Sequence, residues 1–189
     1  MMHSKIVLAG LVIAVSAASA QTDMTLTTAG LGAATIGSTL QQVEKATNVS
    51  FQLNPNQRKN WLVEECYISS NSLPGVGFVF ERGRLLAVTL GKGARITTRS
   101  GIAVGDAERK AIDLLKNDPT YTRGENHYGD GSMTNMEIVV GKAKFNPQRN
   151  AYDGMLMKIS SVKGSIDSIE AGRASYVALF ERENSGECM

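Results

Sequence analysis

The sequence predicts an α+β fold of two tandem repeats, each a helix packed on an antiparallel sheet of about three to four strands. Three echoes, met in the same order in both halves, carry this expectation. Two nine-residue segments have glycine at each end and aliphatic residues at the third and sixth positions: Gly83-Arg-Leu-Leu-Ala-Val-Thr-Leu-Gly91 and Gly164-Ser-Ile-Asp-Ser-Ile-Glu-Ala-Gly172. Upstream, Leu26-Thr27-Thr28 precedes Gly30-Leu31, and Ile96-Thr97-Thr98 precedes Gly101-Ile102. Between them, Ile36-Gly37-Ser38 and Val104-Gly105-Asp106 each open a helical pattern.

Taken in order, residues 1–20 read as a signal peptide. Lys5 supplies the positive start, Ile6 to Val15 form an apolar run too short to span a bilayer, and Ala18-Ser19-Ala20 gives a small-residue cleavage site before Gln21. A membrane anchor or a buried N-terminal strand is the other reading of this run. No other run is long and apolar enough to span a membrane, and no cysteine near the cleavage point suggests lipid attachment.

The first repeat is expected over 21–93 and the second over 94–189, each running strand, turn, helix, loop and three strands. Ser38 and Asp106 are the expected N-caps, because a side-chain oxygen there accepts a free backbone N–H, and Ser38 with Gln41 has capping-box spacing. The first helix is expected to end near Thr47 and to bury Leu40 and Val43. The second is expected to bury Ala107, Ala111, Leu114 and Leu115, and Asn117-Asp118-Pro119 stops it.

Val76, Phe78 and Phe80, and later Met155, Met157 and Ile159, alternate as half-buried strands do. The glycine that follows each run supplies a hairpin turn. Gly105 to Gly164 is a longer interval than Gly37 to Gly83, so the second repeat carries an insertion, placed at 118–134. Ser175 to Phe180 reads as a final strand. Trp61 leads into the first strand and is expected to be partly core.

Export would place Cys66 and Cys188 in an oxidising compartment, where an isolated pair forms a disulfide. That long loop would contribute roughly 4–5 kcal/mol in the chain-entropy account. Two free thiols are the alternative. The absence of C-x-x-C argues against a redox enzyme.

Paired helix-plus-sheet repeats, with the Ile36-Gly37-Ser38 and Val104-Gly105-Asp106 helix starts and the glycine-bounded hairpins, resemble the beta-lactamase inhibitory protein family. They also resemble the small outer-membrane assembly lipoproteins, of which that inhibitor looks like a doubled form. The resemblance covers the pattern of most of residues 24–188. It implies a concave sheet that holds a protein partner, and it carries over no individual binding residue. The chain departs from both families in its cysteines: it has two in all, and none for a lipid.

Chemistry is sparse. His127 could act as a general base oriented by Glu125 or Asp130, but no G-x-S-x-G elbow is present, and a solvated or partner-contacting histidine is the simpler reading. After residue 20, one histidine and two distant cysteines do not make a zinc site, and Glu137 comes too early for an EF-hand loop. Gly91-Lys92-Gly93 lacks P-loop spacing and reads as a hairpin end. No cofactor and no metal are expected.

With 42% hydrophobic and 20% charged residues the chain can bury a core, and a formal net charge of +2 argues against a dedicated nucleic-acid binder. From Arg82 to Arg99 there are cations (Arg82, Arg84, Lys92, Arg95, Arg99) and no acids. These form either a patch for an acidic partner, an anionic headgroup or a wall polymer, or the ordinary charge protection of edge strands. The 118–134 insertion is the expected recognition loop, with Tyr121 and Tyr128 as rigid contact area and Arg123, Asn126 and His127 as polar contacts. A plain surface loop is its bland alternative.

The expectation is therefore a periplasmic or secreted binding protein, not an enzyme, that recognises an extracytoplasmic protein partner. An inhibitor of an extracytoplasmic hydrolase is its narrower form, and a structural envelope protein aiding outer-membrane or wall assembly is the alternative. Mature protein taken from the periplasm should titrate with no free thiol under denaturing, non-reducing conditions. Two thiols would remove the Cys66–Cys188 bridge.

Overall fold

A third-and-sixth aliphatic pattern does not suit a regular strand, whose side chains alternate faces with a period of two. The computed structural model, which describes residues 24–51, 65–127, 134–148 and 151–177, resolves this with a β-bulge in each of the two nonapeptides. The elements in chain order are β1 (Leu26–Thr27), β2 (Gly30–Leu31), β3 (Ala34–Thr35), α1 (Leu40–Thr47), β4 (Glu65–Ser69), β5 (Val76–Glu81) and β6 (Arg84–Leu90). They continue with α2 (Glu108–Leu115), β7 (Thr122–His127), β8 (Thr134–Asn146), β9 (Ala151–Val162), β10 (Ser165–Arg173) and α3 (Ala174–Val177). In β6, paired with β5, the register passes from Phe80↔Leu85 to Val79↔Ala87, so Leu86 is the extra residue. In β10, paired with β9, it passes from Ile166↔Ser161 to Ser168↔Ser160, so Asp167 is the extra residue. The added residue turns Leu85 and Val88, and likewise Ile166 and Ile169, onto one face, where all four are buried.

The chain is α+β. Seven strands form one antiparallel sheet in the order β4-β5-β6-β10-β9-β8-β7, and β1-β2-β3 form a small separate meander. The two nonapeptides lie side by side at the sheet's middle. Thr89 pairs with Glu170, Leu90 with Ile169 and Val88 with Ala171, so exchanging the two segments leaves the pairing unchanged. Each is entered by a two-residue hairpin turn, Arg82-Gly83 and Lys163-Gly164, with φ of 50° and 72° in one and 52° and 78° in the other. Positive φ at both central residues is the type I′ turn, which matches strand twist.

The helix starts dock on the same strands in the same way. The Gly37 N–H donates to the Leu85 carbonyl at 2.7 Å and the Leu85 N–H to the Ser38 carbonyl at 2.8 Å. The Gly105 N–H donates to the Ile166 carbonyl and the Ile166 N–H to the Asp106 carbonyl, each at 2.8 Å. The threonine echoes also meet: the Leu26 N–H donates to the Thr97 carbonyl at 2.9 Å, and the Arg99 N–H to the Leu26 carbonyl at 3.0 Å.

This docking corrects the expected caps. The Ser38 and Asp106 carbonyls are bonded to the strands and the next residues, Thr39 and Ala107, are extended, so each helix begins later. Thr39 caps α1, its hydroxyl accepting from the Gln42 N–H at 3.4 Å while Gln42 Oε1 accepts from the Thr39 N–H at 2.8 Å. The capping box is thus Thr39 with Gln42, not Ser38 with Gln41. Ala107 is the N-cap of α2 and has no side-chain bond. Asp106 instead closes the preceding loop, its Oδ2 accepting from the Ala103 N–H and from Lys110 Nζ, both at 2.7 Å. The Lys110 hydrogen bond, then that of Ala103, hold the Asp106 carboxyl below its ordinary range.

One face of the sheet carries the main core, in which Phe78, Phe80, Ile138 and Ile159 pack with Val43 of α1 and with Ala111 and Leu115 of α2. Leu40 packs against this core while only partly buried. In α2 the expected face is corrected: Ala107 is exposed and Leu114 is 48% exposed, while Glu108, Ala111, Ile112 and Leu115 turn toward the sheet. The later helix start leaves Ala107 outside the first turn, and Leu114 lies about 100° round the axis from Leu115. On the opposite face Val79, Leu86, Ala87 and Leu156 pack with Ala174, Tyr176 and Val177. Residues 174–177 are helical, which overturns a strand beginning at Ser175.

Leu85→Ala and Ile166→Ala should each lower stability by about 2–5 kcal/mol, and by similar amounts, in urea unfolding. Leu114→Ala should change it by less than about 0.5 kcal/mol.

Candidate functional site

The sequence-predicted recognition loop is in large part a strand. Residues Thr122–His127 form β7, which pairs with β8 at the sheet edge from Thr122↔Val139 to His127↔Thr134. Tyr121 is half-buried and packs against the main core. Arg123 braces β7 to α2: its guanidinium donates to Glu108 Oε1 at 2.9 Å, and Ser161 Oγ donates to Glu108 Oε2 at 2.8 Å. His127 ends β7. Tyr128, Asp130, Trp61 and Cys188 lie outside the described residues, and so does the Cys66–Cys188 pairing; Cys66 itself stands in β4.

The structure does not gather the basic residues into one patch. Arg82 is in the turn before β6, and Arg84 at its start donates to the Gly37 carbonyl at 3.3 Å. Lys92 and Arg95 lie past its other end, separated from Arg84 by about 20 Å of strand. A basic run in sequence becomes two distant groups because an intervening strand is extended.

The surface that stands out was not singled out from the sequence. β10 pairs with β9 only as far as Met155, and β7 pairs with β8 only as far as Val139. Beyond those points β8 and β9 pair only with each other, from Ala143↔Gly154 to Asn146↔Ala151. This two-stranded ribbon has no strand on either flank among the described residues. Gly141 (φ 124°) and Gly154 (φ 120°) stand at its root, where a Cβ at either would collide with a backbone carbonyl of the facing strand. Their absence of side chains lets the strands cross closely as the ribbon leaves the sheet.

Phe145 and Tyr152 face each other across the ribbon, ring centroids 5.4 Å apart and edge to face. They are 47% and 44% exposed, and among the described residues only Leu114 is a comparably exposed large apolar side chain. Lys142 and Lys144 lie on the same ribbon, and Asn146 Nδ2 donates to Asp153 Oδ2 at 2.8 Å near its end.

The root is anchored from the segment after α2. The Gly141 N–H donates to Thr120 Oγ1 at 2.8 Å. Thr120 in turn donates to Asp118 Oδ1 through its hydroxyl at 2.6 Å and its N–H at 2.8 Å. The hydroxyl bond is the larger cause holding the Asp118 carboxyl below its ordinary range. Within the 118–134 segment, Thr122–His127 thus form an edge strand and Asp118 and Thr120 buttress the ribbon.

On the sheet face opposite α1 and α2, Lys158 and Glu170 form an ion pair at 3.2 Å beside Thr89. Glu137, also on this face, is 7% exposed, and its Oε2 has no hydrogen-bond partner. Lys158, diagonal to it on β9, is committed to Glu170. Among the described residues no three His, Cys, Asp or Glu side chains gather as a metal-holding cluster, and no helix is long and apolar enough to cross a membrane.

Comparison with family models, with curated proteins and with solved structures finds no match for this chain.

Arg123 is nearly half exposed, so Arg123→Ala should cost no more than about 1 kcal/mol. Glu108→Ala strands the hydroxyl of Ser161, which is 2% exposed, and should cost more, about 1–3 kcal/mol in urea unfolding.

Proposed function

We propose that this chain is an exported, non-enzymatic binding protein that recognises an extracytoplasmic protein partner through the end of the β8–β9 ribbon. The observation that carries the reading is the Phe145–Tyr152 pair, held half-exposed on a ribbon that no other strand flanks among the described residues. Rings left half in water forgo burial that the core would supply. They present rigid, amphipathic area with few rotamers, the property that concentrates binding energy in aromatic hot spots. A narrow ribbon is also a shape that enters a cleft, as an enzyme inhibitor must.

The proposal takes the chain as two tandem helix-on-sheet units, about 24–93 and 94–180. Support comes from the matched turns, bulges, helix-start hydrogen bonds and the exchangeable Thr89/Glu170 pairing. The resemblance to the beta-lactamase inhibitory protein family favours inhibition of an extracytoplasmic hydrolase as the narrower form. Export rests on Lys5, the Ile6 to Val15 run and Ala18-Ser19-Ala20. A Cys66–Cys188 disulfide belongs to the same proposal.

Mature protein immobilised and exposed to an extract of its own cell envelope should retain one protein saturably. Phe145→Ala and Tyr152→Ala should each weaken that retention roughly 30-fold, with thermal unfolding unchanged. Recovery of lipid or wall material alone would replace this reading with the structural envelope role. Retention indifferent to both substitutions would move the contact away from the ribbon.

A further inference from the structure

At the end of the sheet opposite the ribbon, two loops meet. Residues 70–75 lead into β5, and residues 91–96 leave β6. The Gly91 N–H donates to the Gly75 carbonyl at 2.8 Å. Gly75, with φ 71°, lies so close to the Ala94 backbone nitrogen that a side chain there would collide. The loops are thus pinned at one point, and between them lies a cavity of about 410 Å³. That volume falls in the range of small-molecule sites, roughly 300–1,000 Å³.

Its wall is chemically lopsided. Leu73, Pro74, Val76 and Ile96 make it apolar, with Ser72 at the side. Arg95 is the one charged residue among those lining it. Lys92 precedes it by three positions, and no acid occurs from Arg82 to Arg99. No hydrogen bond or ion pair occupies the Arg95 guanidinium among the described residues. A guanidinium offers a planar fork of donors that a carboxylate fills with two parallel bonds. A phosphate monoester would bring close to two charges to a cavity lined by one cation.

We propose that this cavity binds a small monocarboxylate with an apolar body, of the medium-chain fatty acid class, its carboxylate on Arg95 and its chain against Leu73, Pro74, Val76 and Ile96. The site is separate from the ribbon, so it stands or falls independently of the partner contact.

The test is calorimetric titration of the mature protein with decanoate and with 1-decanol as the uncharged control, below micelle-forming concentrations. Decanoate should bind saturably at one site, at least tenfold tighter than the alcohol. Arg95→Gln should weaken decanoate at least tenfold and leave decanol unchanged. Ser72→Trp, which fills the cavity from an exposed position, should abolish both. Thermal unfolding of both variants should match the parent, and partner retention through the ribbon should be unaffected. Absence of saturable decanoate binding, equal affinity for decanoate and decanol, or decanoate binding that survives either substitution overturns the proposal.

Discussion

The pairing of β6 with β10 is the constraint on which the rest of the molecule depends. Each strand carries a tight turn at its start, a bulge that brings two aliphatic residues to one face, and the hydrogen bonds that dock a helix start. Joining the two at Thr89 and Glu170 sets the register of β5 and β4 on one flank and of β9, β8 and β7 on the other. It also places α1 and α2 over one face, since each helix is tied to one of these strands. The contact joins residues far apart in the chain, so its loop-closure entropy has to be offset by burial of Phe78, Phe80, Leu85, Ile166 and Ile169.

Around this shared centre the two sides differ, and the candidate site comes from the difference. β4 and β5 are 5 and 6 residues long, whereas β8 and β9 are 13 and 12. The second half of the chain therefore supplies the edge strand β7 and an extended hairpin. Strands that outrun their neighbours lose inter-strand support, which here is replaced by the Asp118–Thr120–Gly141 relay at the root. The brace from Arg123 through Glu108 to Ser161 fastens the added edge strand to α2. Of the tyrosine and arginine residues in that polar stretch, Tyr121 packs against the main core and Arg123 ties β7 to α2.

Much of the plan was legible in the sequence because it is local. Glycine at a hairpin turn, the end of α1 at Thr47 and the stop before Pro119 each depend on a few adjacent residues. The helix caps were misplaced by one residue because the Ser38 and Asp106 carbonyls are bonded to Leu85 and Ile166, tens of residues away, and the extended residue is the next one in each case. Leu114 was assigned to the core because helical periodicity marks a stripe without saying how the helix is rotated on its sheet. Phe145 and Tyr152 drew no attention, since an alternating apolar pattern looks the same in a covered strand and in one that has outrun its neighbours.

The sequence by itself determined the α+β class, the two matched sets of turn, strand and helix start, and the apolar strands Val76–Phe80 and Met157–Ile159, because backbone preference and burial pattern are short-range properties. Tertiary structure alone decided which strands meet at the middle, that Thr122–His127 form an edge strand, that the basic run divides between two ends of the sheet, and which aromatic pair stays in water. Each of those depends on where one strand ends relative to its neighbour, a relation between distant segments that no local pattern encodes.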